Sequence, residues 1–191
     1  MTSPSRAVFL DRDGVLNAVR MVDGAAHSPR ALDEFTVLDG VPEAIRELRS
    51  AGWLTVVVTN QPDVARGLLD AATLAAMHKR LNDEAGVDLI EACLHDGLQG
   101  CDCRKPRPGM LTRVAERRGL DLTDCWMVGD RWVDLAAGRA AGTRCLLVER
   151  PWTWLGTSAG SPKPDLEPDA TVVDVAEAAR LILTEGDEPA G

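Results

Sequence analysis

The strongest constraint on the fold of this chain is the way its short apolar runs stop, one after another, at acidic, hydroxyl or amide side chains. Ala7-Val-Phe-Leu stops at Asp11, Trp53-Leu-Thr-Val-Val-Val at Thr59 and Asn60, and Cys125-Trp-Met-Val at Gly129-Asp130. The middle run has no polar alternation, as expected of a strand covered on both faces. Between the runs, Val41, Ala44, Ile45 and Leu48 recur at helical spacing around Pro42. Asp70 can cap a second helix carrying Leu74, Met77 and Leu81, and Pro108 opens a third through Leu111, Val114 and Ala115. Leu135 to Ala141 reads as a fourth helix, and Asp174 as the cap of a last one ending near Leu183. Leu89 to Cys93 and Cys145 to Val148 are further strands, and Thr171 to Val173 leads past Asp174 into the last helix. Such alternation predicts an α/β fold, a doubly wound, mainly parallel sheet. Ligands of such sheets sit at the C-terminal ends of the strands. The polar residues that end the runs are therefore expected to meet at one edge.

A chain of 191 residues forms one domain with a sizeable core, here taken as residues 1–191. Residues 151–168, rich in proline and glycine, read as a long irregular connection, and 185–191 as a frayed tail. Trp152 and Trp154 in that connection are expected to staple it to the body. A net charge of −9 argues against a nucleic-acid partner. No apolar run approaches the roughly 20 residues that span a bilayer, and the polar Met1–Arg6 stretch does not read as a secretory leader. Five cysteines give no disulfide framework. A monomer in the cytoplasm, without membrane contact, is expected.

Three of those cysteines are accounted for by one motif. Cys93, His95, Cys101 and Cys103 place four ligand-type side chains in eleven positions. Thiolate and imidazole suit Zn²⁺, and four of them close a tetrahedron with no position left for substrate. The metal would be structural, shaping a loop that aims Arg104 and Lys105 at something anionic. Cys125 and Cys145 read as buried core thiols, His78 as part of a solvated helix face and His27 as a polar-loop residue.

Asp11 and Asp13, two residues apart at the end of a strand, can turn both carboxylates to one side. A divalent cation would relieve their repulsion, with Asp130 as a third ligand, and such an oxygen-rich set favours Mg²⁺. Neither G-x-x-x-x-G-K-[ST] nor G-x-G-x-x-G occurs, so the usual nucleotide cradles are missing.

Phe9-Leu-Asp-Arg-Asp-Gly-Val-Leu-Asn17, Val58-Thr-Asn-Gln61, Lys105 and Val128-Gly-Asp130 resemble, in order, the four motifs of the haloacid-dehalogenase superfamily. Ala65-Arg-Gly67 and the zinc pattern running into Cys103-Arg-Lys-Pro-Arg-Pro-Gly-Met110 narrow the resemblance to its D-glycero-D-manno-heptose 1,7-bisphosphate phosphatase family. The resemblance covers residues 7 to about 150. It implies a Rossmann-like fold and a Mg²⁺-dependent phosphatase that removes the C7 phosphate of the sugar. Asp11 would be the nucleophile and Asp13 the acid and base. Mg²⁺ would be held by Asp11, the Asp13 backbone carbonyl and Asp130, with Asp134 supporting that shell or capping a helix. Thr59 and Lys105 would steady the phosphoryl group. Val19, Arg20, Met21 and Val22, together with Asn60, Gln61, Arg104 and Arg131, would contact the phosphosugar.

The chain departs from that pattern at Pro62-Asp63, where Ser-Gly is usual, and in a zinc loop with only residues 96–100 between His95 and Cys101. No sizeable insertion follows the first or second motif, so no cap domain is expected. The short loop brings the chain closer to histidinol-phosphate phosphatases, which stand as the alternative enzyme. A non-catalytic phosphosugar-binding module on the same scaffold is the alternative from outside enzymology.

Overall fold

The computed structural model describes residues 5–23, 25–96, 98, 100–154 and 166–186. In chain order they form β1 (Ala7–Leu10), a hairpin of β2 (Arg20–Val22) and β3 (Ala25–His27), α1 (Val41–Ser50), β4 (Leu54–Asn60), α2 (Ala71–Ala85), β5 (Leu89–Cys93) and α3 (Gly109–Arg118). There follow β6 (Trp126–Gly129), α4 (Trp132–Ala141), β7 (Arg144–Val148), β8 (Ala170–Val172) and α5 (Val175–Gly186). Six strands make one parallel sheet in the order β5-β4-β1-β6-β7-β8.

Period-two alternation splits the core between the two faces of this sheet. Val8, Leu10, Val57, Val128 and Leu146 point to a layer built by Ile45 and Leu48 of α1, Met77 and Leu81 of α2 and Ile182 of α5. Phe9, Val56, Val58, Met127 and Leu147 point the other way, onto Met110, Leu111 and Val114 of α3 and Leu135 of α4. Both layers are covered, so the central strands can be apolar throughout. Phe9 is wholly buried, and its truncation to Ala would cost about 3–5 kcal/mol.

The chain steps outward from β1 to β4 and β5, then crosses back to β6 on the other side of β1. That reversal opens a crevice at the carboxyl ends of β1, β4 and β6. Local signals behave as their chemistry demands. Asp70 accepts the Thr73 amide at 2.9 Å and caps α2, and Asp174 accepts the Glu177 amide at 2.8 Å at the start of α5. Gly14 takes φ 93° in the turn after β1, and a Cβ there would lie 2.2 Å from Asp130 Oδ2.

Some boundaries differ from expectation. The Val19–Val22 loop is largely strand, because Arg20 to Val22 pair with Ala25 to His27. Helix α4 begins three residues early, where Asp134 caps it by accepting the Arg131 amide at 3.0 Å. Helix α5 reaches Gly186, past the expected Leu183; the rest of the tail, and residues 155–165 of the connection, lie outside the described residues. His78 is not on a solvated face: its Nε2 is buried, and burial, with Arg12 adding to it, pushes its pKa down to about 4.

Candidate active site

Asp11 leaves β1 with its amide bonded to the Val128 carbonyl at 2.9 Å, so the turn after β1 is stitched to β6. Lys105 reaches in from the loop after β5. Its Nζ lies 2.7 Å from Asp11 Oδ1, 2.7 Å from the Val58 carbonyl and 2.6 Å from Asp134 Oδ1. Asn60 holds the root of that side chain, donating to the Lys105 carbonyl at 3.0 Å and accepting its amide at 3.1 Å. The ammonium is therefore placed by two strands as well as by its own loop. Burial works against its charge, but Asp11 and Asp134 outweigh burial and hold its pKa above the ordinary lysine value. Burial pushes Asp11 the other way, up to about 6, although Lys105 opposes the rise.

Asp13 lies in the same cleft but faces different partners. Beyond β1 the chain enters the Gly14 turn, so the two-residue alternation of an extended strand no longer turns both carboxylates to one point. Arg12 grips Asp13 through Nε at 3.1 Å and Nη2 at 2.8 and 3.0 Å, while its guanidinium lies over the Phe35 ring. Asn17 donates to Asp13 at 2.9 Å, Ser28 at 2.9 Å and Gln61 at 2.7 Å. Burial raises the Asp13 carboxyl, but Arg12 and these donors prevail and hold it below the usual carboxylate range.

The acids that do converge are Asp11, Asp130 and Asp134, whose ligand atoms all lie within 4.8 Å of one another. Asp130 is fully buried, and burial with the nearby Asp11 pushes its pKa well up. Its Oδ1 is buried with no hydrogen-bond partner among the described residues. One lysine does not neutralise three carboxylates. An orphaned carboxylate oxygen beside Asp11 is what a hard divalent cation such as Mg²⁺ takes as ligand. Asp134 is already engaged, capping α4 and pairing with Lys105.

The sulfur site is separate. Cys93 Sγ lies 3.2 Å from Cys103 Sγ and 3.7 Å from Cys101 Sγ, and His95 Nδ1 lies 3.5 Å from Cys93 and 3.2 Å from Cys103. These spacings approach the roughly 3.7 Å edge of a tetrahedron with Zn–S bonds of about 2.3 Å. Burial pushes the Cys93 thiol up to about 12, so a thiolate there needs a cation, and this donor set fits Zn²⁺. Arg107 donates to the Cys101 carbonyl and Arg104 to the His95 carbonyl at 3.2 Å, which closes the loop from outside.

A cavity of ≈ 330 Å³ lies over the carboxylates and Lys105, apart from the sulfur ligands. Asp11, Asp13, Thr59, Asn60, Gln61, Arg104, Lys105, Asp130 and Arg131 all line it, as does Val19. Arg20, Met21 and Val22 do not: the hairpin carries them outward, Arg20 pairs with Glu34 at 3.1 Å, and Met21 is 53% exposed. Gln61 and Asn60 are committed to the site's own framework, since Gln61 also donates to Thr59 Oγ1 at 2.8 Å. Four participants escaped the sequence reading. Arg12 grips Asp13, and Ser28 donates to it; Asp63 accepts Arg30 Nε at 2.7 Å; the Trp152 indole donates to Asp130. Arg12 lies between two aspartates, Asp63 stands where the chain departs from the family pattern, and Trp152 staples its connection to the body as expected, but none of these signals points to the partner found; Ser28 carries no signal.

A parallel sheet with a nucleophile-type aspartate after its first strand, a lysine against it and acids after β6 is the layout of haloacid dehalogenase-like hydrolases. Residues 17–142 match the model of that family, and the chain belongs to it. Within it, the chain is 43% identical over 164 residues to the D-glycero-beta-D-manno-heptose-1,7-bisphosphate 7-phosphatase of Pseudomonas aeruginosa, covering 83% of this chain and 88% of that protein. Its structure superposes on D,D-heptose 1,7-bisphosphate phosphatase from B. bronchiseptica, complexed with magnesium and phosphate, with TM-score 0.76 and 38% identity, covering 94% of this chain and 99% of that one. The corresponding phosphatase from Burkholderia thailandensis matches with TM-score 0.65 and 32% identity, over 94% and 99% of the two chains.

Proposed function

We propose that this chain hydrolyses the C7 phosphate of D-glycero-D-manno-heptose 1,7-bisphosphate through a phosphoryl group carried on Asp11. The observation that carries the reading is the buried Lys105 ammonium, 2.7 Å from Asp11 Oδ1 in a cleft that Asp13, Thr59 and three arginines, Arg66, Arg104 and Arg131, also line. The similarity to heptose bisphosphate phosphatases at 32–43% identity supports the substrate.

Asp11 attacks phosphorus, the bond to the sugar oxygen breaks, and that oxygen takes a proton from Asp13. Water then attacks the aspartyl phosphate as Asp13 recovers a proton, freeing phosphate and restoring the Asp11 carboxylate. At rest Arg12 keeps Asp13 ionised, which suits the second half of this cycle. A dianionic phosphate entering the cleft opposes Arg12 and favours protonation of Asp13 for the first half. Lys105, whose ammonium is held by Asp11, the Val58 carbonyl and Asp134, supplies fixed positive charge beside the phosphoryl group, and the Thr59 hydroxyl is a preorganised donor to it. Asp11, Asp130 and the Asp13 backbone carbonyl would hold magnesium, which would neutralise the negative charge that phosphate and carboxylates bring together. Arg104 and Arg131 offer guanidinium groups to the remaining phosphate. We take residues 1–191 as one domain working as a cytoplasmic monomer. Five free cysteines, three of them in a zinc-type thiolate cluster, support a reducing compartment.

The deciding measurement is kcat/KM for both anomers of the bisphosphate, simple sugar monophosphates and histidinol phosphate. A clear preference for heptose bisphosphate is expected. The short zinc loop makes histidinol phosphate the informative competitor, and its faster turnover would replace this reading.

A further inference from the structure

The segment after β7 is a built strap rather than a loose start to a connection. The Arg150 amide donates to Thr153 Oγ1 at 2.8 Å, and the Thr153 amide returns to the Arg150 carbonyl at 3.0 Å, closing a tight turn. The strap is tied at both ends of the site. Arg150 Nε and Nη2 each lie 3.4 Å from the Gly14 carbonyl, in the turn that follows Asp11. The carbonyl of Thr153, fully buried, accepts the Trp132 amide at 3.1 Å where α4 begins, two residues past Asp130. Trp152 sits between these anchors, lines the cleft and donates its indole N–H to Asp130 Oδ2.

That one bond divides the labour of the carboxylate. Oδ2 is occupied by the indole and crowded by Gly14, where even a Cβ would come within 2.2 Å. Oδ1 is left buried with no partner among the described residues, on a residue whose ligand atom clusters with those of Asp11 and Asp134. A carboxylate fixed through one oxygen presents the other in a set direction, whereas a free one must be ordered when the cation arrives. Partners of this kind change metal affinity by roughly 10- to 100-fold.

We propose that Trp152 is a positioning residue for the divalent-cation site: its N–H locks the Asp130 carboxylate so that Oδ1 faces the cation, and the Arg150–Thr153 strap holds the indole there. The proposal rests on the reading of Asp130 as a cation ligand. The test is calorimetric titration of MgCl₂ into zinc-loaded protein prepared without magnesium, with zinc content and magnesium-free thermal stability measured alongside. Trp152→Phe removes the N–H and keeps a ring; a benzothienylalanine residue at 152 replaces N–H by sulfur and preserves the indole shape should the phenylalanine variant fold poorly. Both should weaken Mg²⁺ binding about tenfold or more, with zinc content unchanged and no comparable loss of magnesium-free stability. Mg²⁺ affinity within twofold of wild type in the benzothienylalanine protein overturns the proposal, as does a loss of stability with no change in affinity. Asp130→Asn separates the two readings: if it leaves Mg²⁺ binding intact, the ligand assignment itself fails; if it abolishes binding while the Trp152 variants do not, only the role of Trp152 fails.

Discussion

Lys105 and Asp11 stand 94 positions apart in the chain, yet Nζ of one lies 2.7 Å from Oδ1 of the other, and both are buried. Removing one partner of a buried pair leaves a charge uncompensated, at a cost of about 3–5 kcal/mol. Here the loss would strand three acids together, Asp11, Asp130 and Asp134. Lys105→Met is therefore expected to lose about 3 kcal/mol in magnesium-free buffer, with part of the loss recovered on adding MgCl₂. Denaturant titrations in both buffers check this. Equal stability of variant and wild type would contradict it.

Asp11→Asn should end turnover without unfolding the chain. The amide keeps the shape and loses the attacking oxyanion, so phosphate release is expected to fall on the order of 10³-fold or more. Mass spectrometry of acid-quenched wild type should find a phosphoryl adduct on Asp11 that the variant lacks. Residual activity within tenfold of wild type would remove Asp11 from the chemistry.

His78 predicts how stability responds to mild acid. Burial, then the charge of Arg12, lowers its pKa from 6.5 to about 4, so the folded protein keeps it neutral while the unfolded chain takes up a proton. Stability contributed by the neutral ring is complete above about pH 6.5 and declines as pH falls toward 4, because the unfolded state then binds more protons. The ring is partly exposed, which limits the decline to roughly 1 kcal/mol between pH 7 and pH 5. His78→Gln should flatten that part of the stability–pH curve. Parallel curves for the two proteins would show that the histidine is not the titrating group.

The thiolate cluster makes a separable prediction. Cys101 Sγ lies 3.7 Å from Cys93 Sγ and its carbonyl accepts Arg107, so this residue joins the metal site to the loop that delivers Lys105. Cys101→Ser should lower zinc content and thermal stability, and reduce activity indirectly by loosening Lys105. Full zinc occupancy by elemental analysis, with unchanged melting, would refute this.

Much of the fold is legible in the sequence. The expected Leu89–Cys93 strand matches to the residue, Asp70 and Asp174 act as the caps expected of them, and the six-stranded sheet is parallel throughout. These signals are local: an apolar period or an oxygen ahead of a helix acts within a few residues. The β2–β3 hairpin is invisible in the sequence because three-residue strands of ordinary composition leave no periodicity to count. The inward turn of His78 is hidden for a related reason. Its flanks Lys79 and Arg80 are polar, and only the packing of α2 toward Arg12 and Asp13 shows that its ring turns inward.

The candidate site divides along the same line. Which residues gather at the strand ends was written into the order of short motifs, because a parallel sheet brings every strand's carboxyl end to one edge. Which charges pair there was not. Asp13 turns to Arg12, Asp134 joins Asp11 and Asp130, Asn60 secures Lys105, and an indole from beyond β7 meets Asp130. Those choices depend on side-chain rotamers and on contacts across tens of residues, and neither leaves a trace in local spacing. Composition and pattern set the edge where a phosphate could be handled; packing alone assigned each acid its partner.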